Sequence, residues 1–150
     1  MASEDGMGAS LSVLAAGLAE LVADYVGPAL REAKINAGTF ELLSALRAAG
    51  PNATQTSLAR RLGITAPSLS EAVKAAVRKG LVKQVASGTD ARSKHVQMTR
   101  KGEEALEAVL SAVRAAERTM VRGISATDLR QAQAILRVAV DNLRSELEAR

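Results

Sequence analysis

Apolar residues recur at steps of three and four along most of this chain, and glycine, proline and short polar clusters cut the pattern into segments. Leu11, Leu14, Leu18, Leu21 and Tyr25 form one such stripe, which predicts a helix from Leu11 to about Lys34. Gly27-Pro28 is expected to bend or interrupt it, because proline lacks the N–H that a helix interior needs. A second helix from about Gly38 to Ala48 turns Phe40, Leu42, Leu43 and Leu46 inward and closes at Gly50-Pro51-Asn52. Residues 1–9 are small, polar and glycine-containing, and read as a flexible tail.

The stretch from Thr54 to Val73 writes two short helices joined at a glycine. Thr54 is placed to cap the first and Gly63 to end it, while Thr65 is placed to cap a second helix with Ala66 and Pro67 in its first turn. This is a helix-turn-helix. In its second helix Leu69, Val73 and Val77 repeat every four residues and are expected to face the core. Pro67, Ser68, Ser70, Glu71, Lys74 and Arg78 are then left pointing outward.

Gly80 sits where a left-handed cap is needed, and Leu81-Val82-Lys83-Gln84-Val85 follows as a β-forming run. Ser87-Gly88-Thr89-Asp90 forms a loop, and His95-Val96-Gln97-Met98-Thr99 returns in the period-2 sense, making a β-hairpin with a basic tip. Thr99 can cap the next helix, where Glu103 and Glu104 meet the positive end of the helix dipole. That helix reaches about Arg122 with Leu106, Val109, Leu110, Val113 and Met120 inward, and Gly123 stops it. Ser125-Ala126-Thr127-Asp128 resembles a cap for a last helix, striped by Leu129, Ala132, Leu136, Val140, Leu143 and Leu147.

The expected fold class is therefore mainly α with a small β-hairpin wing. A winged helix-turn-helix at residues 35–105 is flanked by helices at 11–34 and 103–150, all in one domain over residues 1–150. The two terminal stripes hold more apolar surface than one wing domain easily covers, so pairing with a second copy of the chain is the economical arrangement. A purely intramolecular bundle is the rival.

Composition narrows the chemistry. There is no cysteine among the 150 residues, which excludes disulfides, thiolate catalysis, zinc-finger ligation and thiol redox sensing. A single histidine, His95, leaves no second imidazole for a two-histidine metal site or for most acid/base pairs. Neither a catalytic site, a metal nor a cofactor is expected. The first residues carry acid where a secretory signal needs positive charge, which points to the cytoplasm. Glu20 and Asp24 interrupt the apolar segment Leu11–Leu30, which argues against a membrane span.

Charge is unevenly placed. Ten Lys or Arg stand against two acids between Thr54 and Lys101, whereas the rest of the chain has ten against fourteen. A basic block confined to the helix-turn-helix and hairpin matches a phosphate-binding footprint, with an ordinary solvated face as the alternative.

A helix-turn-helix followed directly by a hairpin is a winged helix, whose second helix enters the DNA major groove while the hairpin tip reaches the minor groove. Ala66, Pro67, Ser68, Ser70, Glu71 and Lys74 are the major-groove candidates. The serine hydroxyls suit base edges or phosphate, Ala66 and Pro67 a thymine methyl, and Lys74 guanine or backbone. Thr54, Thr56, Arg61 and Arg78 are candidates for phosphate contact. Arg60 is read instead as a surface arginine paired to an acid.

The segment Asp90-Ala91-Arg92-Ser93-Lys94-His95-Val96-Gln97-Met98-Thr99-Arg100-Lys101-Gly102 resembles the wing of MarR-type transcriptional regulators, with Met98 in place of the usual leucine. The resemblance extends upstream through Leu58-Ala59-Arg60-Arg61-Leu62-Gly63-Ile64 and Lys79-Gly80-Leu81-Val82. It implies that Arg92 inserts into the minor groove, held by Asp90 and with Lys94 beside it. It also implies a homodimer on a palindromic operator, acting as a ligand-responsive repressor. The effector would sit between the terminal helices and the winged helix, where Tyr25 and Phe40 are the only aromatic residues available. The competing function is an architectural or protein-docking winged helix without specific DNA reading.

Overall fold

The computed structural model describes residues 10–86 and 94–149. The expectations for the tail at 1–9, the hairpin loop, Asp90 and Arg92 lie outside the described residues, and Lys94 is described in its backbone alone. The elements follow the order α1 (Leu11–Glu32), α2 (Ala37–Ala49), α3 (Gln55–Leu62), α4 (Ala66–Arg78), β1 (Val82–Ala86), β2 (Lys94–Met98), α5 (Arg100–Met120) and α6 (Ala126–Glu148).

Local chemistry sets most of these boundaries. Asn36 accepts the Thr39 N–H at 2.8 Å and starts α2. Thr54 accepts the Ser57 N–H at 3.2 Å while the Ser57 hydroxyl oxygen accepts the Thr54 N–H at 3.2 Å, a reciprocal capping box. Gly63 closes α3 at φ 64°, where its N–H reaches back to the carbonyls of Ala59 and Arg60. Thr65 then accepts the Ser68 N–H at 3.3 Å, with Pro67 in the first turn of α4.

Of the bend or interruption expected at Gly27-Pro28, the interruption does not occur. The helix runs through Gly27-Pro28 without interruption. The proline deprives the Asp24 carbonyl of its helical partner, but both residues are exposed, so that group is not buried without a partner. Gly27 carries no Cβ to clash with the proline ring. By length and composition alone α1 is apolar enough to cross a membrane, with mean hydropathy 1.5.

The chain divides into two units, Met1–Arg114 and Ala115–Arg150. The first holds a single core. Leu42, Leu43, Leu58, Leu69, Val73, Val82, Val96, Leu106 and Val109 are its largest fully buried side chains, drawn from α2, α3, α4, both strands and the first half of α5. β1 and β2 pair antiparallel, with Val82 opposite Met98 and Gln84 opposite Val96. The Val96 N–H also donates to the Ala53 carbonyl at 2.9 Å, and Thr54 bridges to His95, so the segment before α3 supplies a short third edge to the hairpin.

Two predicted core positions are not in the core. Val77 is 41% exposed, and Ala76 takes its place in the buried line after Leu69 and Val73. At 3.6 residues per turn, eight positions carry Val77 about 80° around the helix from Leu69, whereas seven bring Ala76 back to within about 20°. Met120 is 40% exposed. Its phase on α5 is right, but among the described residues the second unit has no buried residue beyond Ala116. Within that unit α6 buries nothing, and Leu143 and Leu147 are each 67% exposed.

Candidate nucleic-acid interface

The helix-turn-helix is held rigidly from below. Leu58, Leu69 and Val73 are buried, and the Schellman-type closure at Gly63, with the Ile64 N–H on the Ala59 carbonyl at 3.1 Å, fixes the angle between α3 and α4. The outward face of α4 then presents Ala66, Pro67, Ser68, Glu71, Lys74 and Arg78 as exposed residues, and Ser70 half-buried at its flank.

These side chains are not all free. The Thr65 hydroxyl donates to the Ser68 hydroxyl oxygen at 2.9 Å, which leaves the Ser68 proton available to an acceptor outside. Lys74 donates from Nζ to Glu71 Oε1 at 2.8 Å, an exposed i,i+3 pair. This hydrogen bond, the charge on Lys74 and the more distant Arg78 hold the Glu71 carboxyl below its ordinary value despite a small opposing desolvation.

Along α3, Thr56 is exposed and Thr54 half-buried, its side-chain oxygen already accepting the Ser57 N–H. Arg60 and Arg61 are both exposed, and neither forms an ion pair among the described residues. The acid expected beside Arg60 is therefore not found there.

Part of the basic block has structural work that its composition did not reveal. Lys79 Nζ donates to the Lys34 carbonyl at 3.3 Å, and Lys101 Nζ donates to the Lys79 carbonyl at 2.8 Å. Arg100 pairs with Glu104 at 2.9 Å. The cations left facing outward on the helix-turn-helix are Arg60, Arg61, Lys74 and Arg78.

The wing is anchored at its base. The Thr99 hydroxyl donates to the carbonyls of Gly80 at 2.7 Å and Leu81 at 3.0 Å, and its oxygen accepts the Gly102 N–H at 3.1 Å. His95 has a partner that its sequence position does not indicate. Its Nδ1 lies 3.1 Å from the Asn52 carbonyl, on the edge where the hairpin meets the segment before α3. No local signal in the sequence marks that pairing.

Tyr25 is exposed and Phe40 packs at the margin of the core. Neither lines the open cleft of about 370 Å³ bounded by Leu46, Arg47, Pro51, Val96, Met98 and Glu103. Among the described residues no group of three or more potential metal ligands comes together.

Residues 35–93 match the family model described as the MarR family. This segment belongs to the MarR family. The fold likeness is wider than the MarR segment: the MepR–DNA complex of S. aureus superposes with a TM-score of 0.79 at 23% identity, covering 92% of this chain and 99% of that one. CouR from Rhodococcus jostii RHA1, solved with p-coumaroyl-CoA, gives a TM-score of 0.74 at 20% identity over 89% of this chain and 93% of that one. A MarR-family regulator from Rhodococcus sp. RHA1 gives 0.70 at 19% identity over 89% and 94%. At these identities the likeness establishes the MarR winged-helix fold. Its coverage leaves too few residues outside to omit the 22 of α1, which is thus an element of that fold.

Proposed function

We propose that this protein regulates transcription by binding double-stranded DNA as a homodimer at a palindromic operator, where it represses until a small-molecule effector releases it. The observation that carries this reading is the outer face of α4. It is a rigidly held, solvent-exposed helix with Lys74 and Arg78 outward, preceded by Arg60 and Arg61 and followed by a hairpin. That is the arrangement that places a helix in the major groove with cations over the flanking phosphates.

The dimer is supported by the terminal helices. Leu21 on α1 is 68% exposed, and Leu11, Leu14, Leu18 and Tyr25 on the same stripe are exposed with it. On α6, Leu136, Val140, Leu143 and Leu147 are exposed. Stripes of this length are covered in solution, and a second copy offers the matching surface. On this reading the protein acts in the cytoplasm and by binding alone, without catalysing a reaction. Asp90, Arg92 and Lys94 would reach the minor groove from the wing.

The test is selection of bound duplexes from a random pool, followed by fluorescence-anisotropy titration of the enriched sequence at several salt concentrations. A palindromic sequence bound at least about a thousandfold more tightly than unrelated DNA is expected. Equal affinity for all sequences would overturn the reading and favour an architectural role.

A further inference from the structure

Pro67, Glu71, Lys74 and Arg78 follow one another at steps of four, three and four, so they fall within about 60° of arc on α4. This arc lies opposite the buried line of Leu69, Val73 and Ala76. Glu71 therefore stands on the outermost ridge of the helix, with Ser68 and Ser70 displaced to either side. It is the sole acid among the described residues from Thr54 to Met98, in the most basic part of the chain.

A carboxylate there is unfavourable for general attraction to a polyanion. An exposed i,i+3 pair also adds little to folding, so stability does not account for it. What the pair provides is a fixed pattern: an acceptor and a donor, 2.8 Å apart, on the ridge that would face the bases. The edge of a C·G pair in the major groove presents the complement, the cytosine N4 amino donor beside the guanine O6 and N7 acceptors. An A·T pair offers a donor flanked by isolated acceptors and a methyl group, a poorer match to an ammonium that can engage two neighbouring acceptors.

We infer that Glu71 and Lys74 act together as a base-reading pair, with the Glu71 carboxylate accepting from cytosine N4 and the Lys74 ammonium donating to the paired guanine. This rests on the DNA-binding reading of α4 given above. In the free protein the two groups already lie together at 2.8 Å. Away from a C·G pair the donor beside two adjacent acceptors is missing, so the pair is not matched as a unit and the carboxylate repels the backbone; Glu71 thus limits binding to unrelated DNA as well as choosing its own base pair.

The experiment compares wild-type protein with Glu71→Gln and Lys74→Ala in duplex selection, with affinities measured on the enriched site and on versions altered one base pair at a time. Wild-type protein is expected to require C·G at one position in each half-site, with about a tenfold loss for any other pair. Glutamine can both donate and accept, as adenine N6 and N7 require, so Glu71→Gln is expected to shift that position towards A·T. It should also bind unrelated DNA more tightly. Lys74→Ala should lose the C·G preference without acquiring a new one. Thermal melts of both variants should match wild type. A selected site with no C·G requirement, or one that Glu71→Gln leaves unchanged, overturns the pair while leaving DNA binding intact. A wild-type chain that enriches no sequence overturns the pair together with the reading on which it rests.

Discussion

Gly102 lies directly against the carbonyl of Leu81, so close that a Cβ on residue 102 would overlap that oxygen severely and stand 2.8 Å from Met98 Cγ. The contact joins the first turn of α5 to the segment that opens β1, beside the Thr99 hydroxyl that binds Gly80 and Leu81. A wing seated on a helix in this way leaves no room for any side chain.

Replacing Gly102 is therefore expected to be severe. Gly102→Ala must move backbone rather than a flexible side chain, and a loss of about 3 kcal/mol or more is expected in urea unfolding monitored by circular dichroism. Gly63→Ala offers a contrast. Nothing lies within 4 Å of that position, so its cost comes from the left-handed φ alone, about 1–2 kcal/mol. A milder loss for Gly102→Ala than for Gly63→Ala would show that the close approach is not rigid.

Leu58 carries the packing of the helix-turn-helix. Leu58→Ala opens a cavity among fully buried neighbours and should cost about 3 kcal/mol. The same measurement on Val77→Ala should give well under 1 kcal/mol, since that side chain is exposed despite its apolar spacing.

Glu107 receives Arg47 from α2 and Arg114 from its own helix, and these hydrogen bonds hold its carboxyl below the ordinary value of 4.5. A depressed carboxyl stabilises the fold above its unfolded pKa, and the contribution disappears as pH falls through the lower, folded value. Wild type should melt above Glu107→Gln near neutral pH, and the difference should close as pH falls through the lowered carboxyl's titration, below the ordinary carboxylate range. Being solvent-exposed, it should also shrink in high salt.

Arg61 and Arg78 are expected to contact phosphate. Each alanine variant should weaken binding about equally across DNA sequences and lower the slope of log affinity against log salt by about one. A sequence-dependent loss would instead make the residue a base reader.

Leu21→Glu and Leu143→Glu place a charge in the centre of the exposed stripes on α1 and α6. Sedimentation should show both variants shifted from dimer to monomer at micromolar concentration, with operator affinity lost in parallel. A variant that stays dimeric removes its helix from the interface.

Element order, helix caps and the hairpin were legible in the sequence because each is decided within a few residues. Thr54, Gly63, Thr65, Thr99 and Ser125 all cap or close helices where their chemistry says they should. Exposure along a helix was less legible. Val77 shows that repeated steps of four drift off the buried face, and Pro28 shows that a proline with its orphaned carbonyl at the surface need not break a helix. Partnerships between distant residues were not legible at all. The lysine bonds from Lys79 to Lys34 and from Lys101 to Lys79 span 45 and 22 positions, and basic composition alone suggests phosphate for both. The Glu71–Lys74 pair lay within reach of sequence reasoning, since its i,i+3 spacing is a recognised pairing distance.

The short edge that Ala53 and Thr54 add to the hairpin has a mechanical consequence. It ties the beginning of α3 to β2, the returning strand of the wing, so the base of the wing and the base of the helix-turn-helix cannot swing apart without breaking backbone hydrogen bonds. If one meets a major groove and the other the minor groove beside it, the molecule works as a caliper of set span. It would then select duplexes by groove width and local bending before any base is read, and softer DNA would be bound by deforming the duplex rather than the protein.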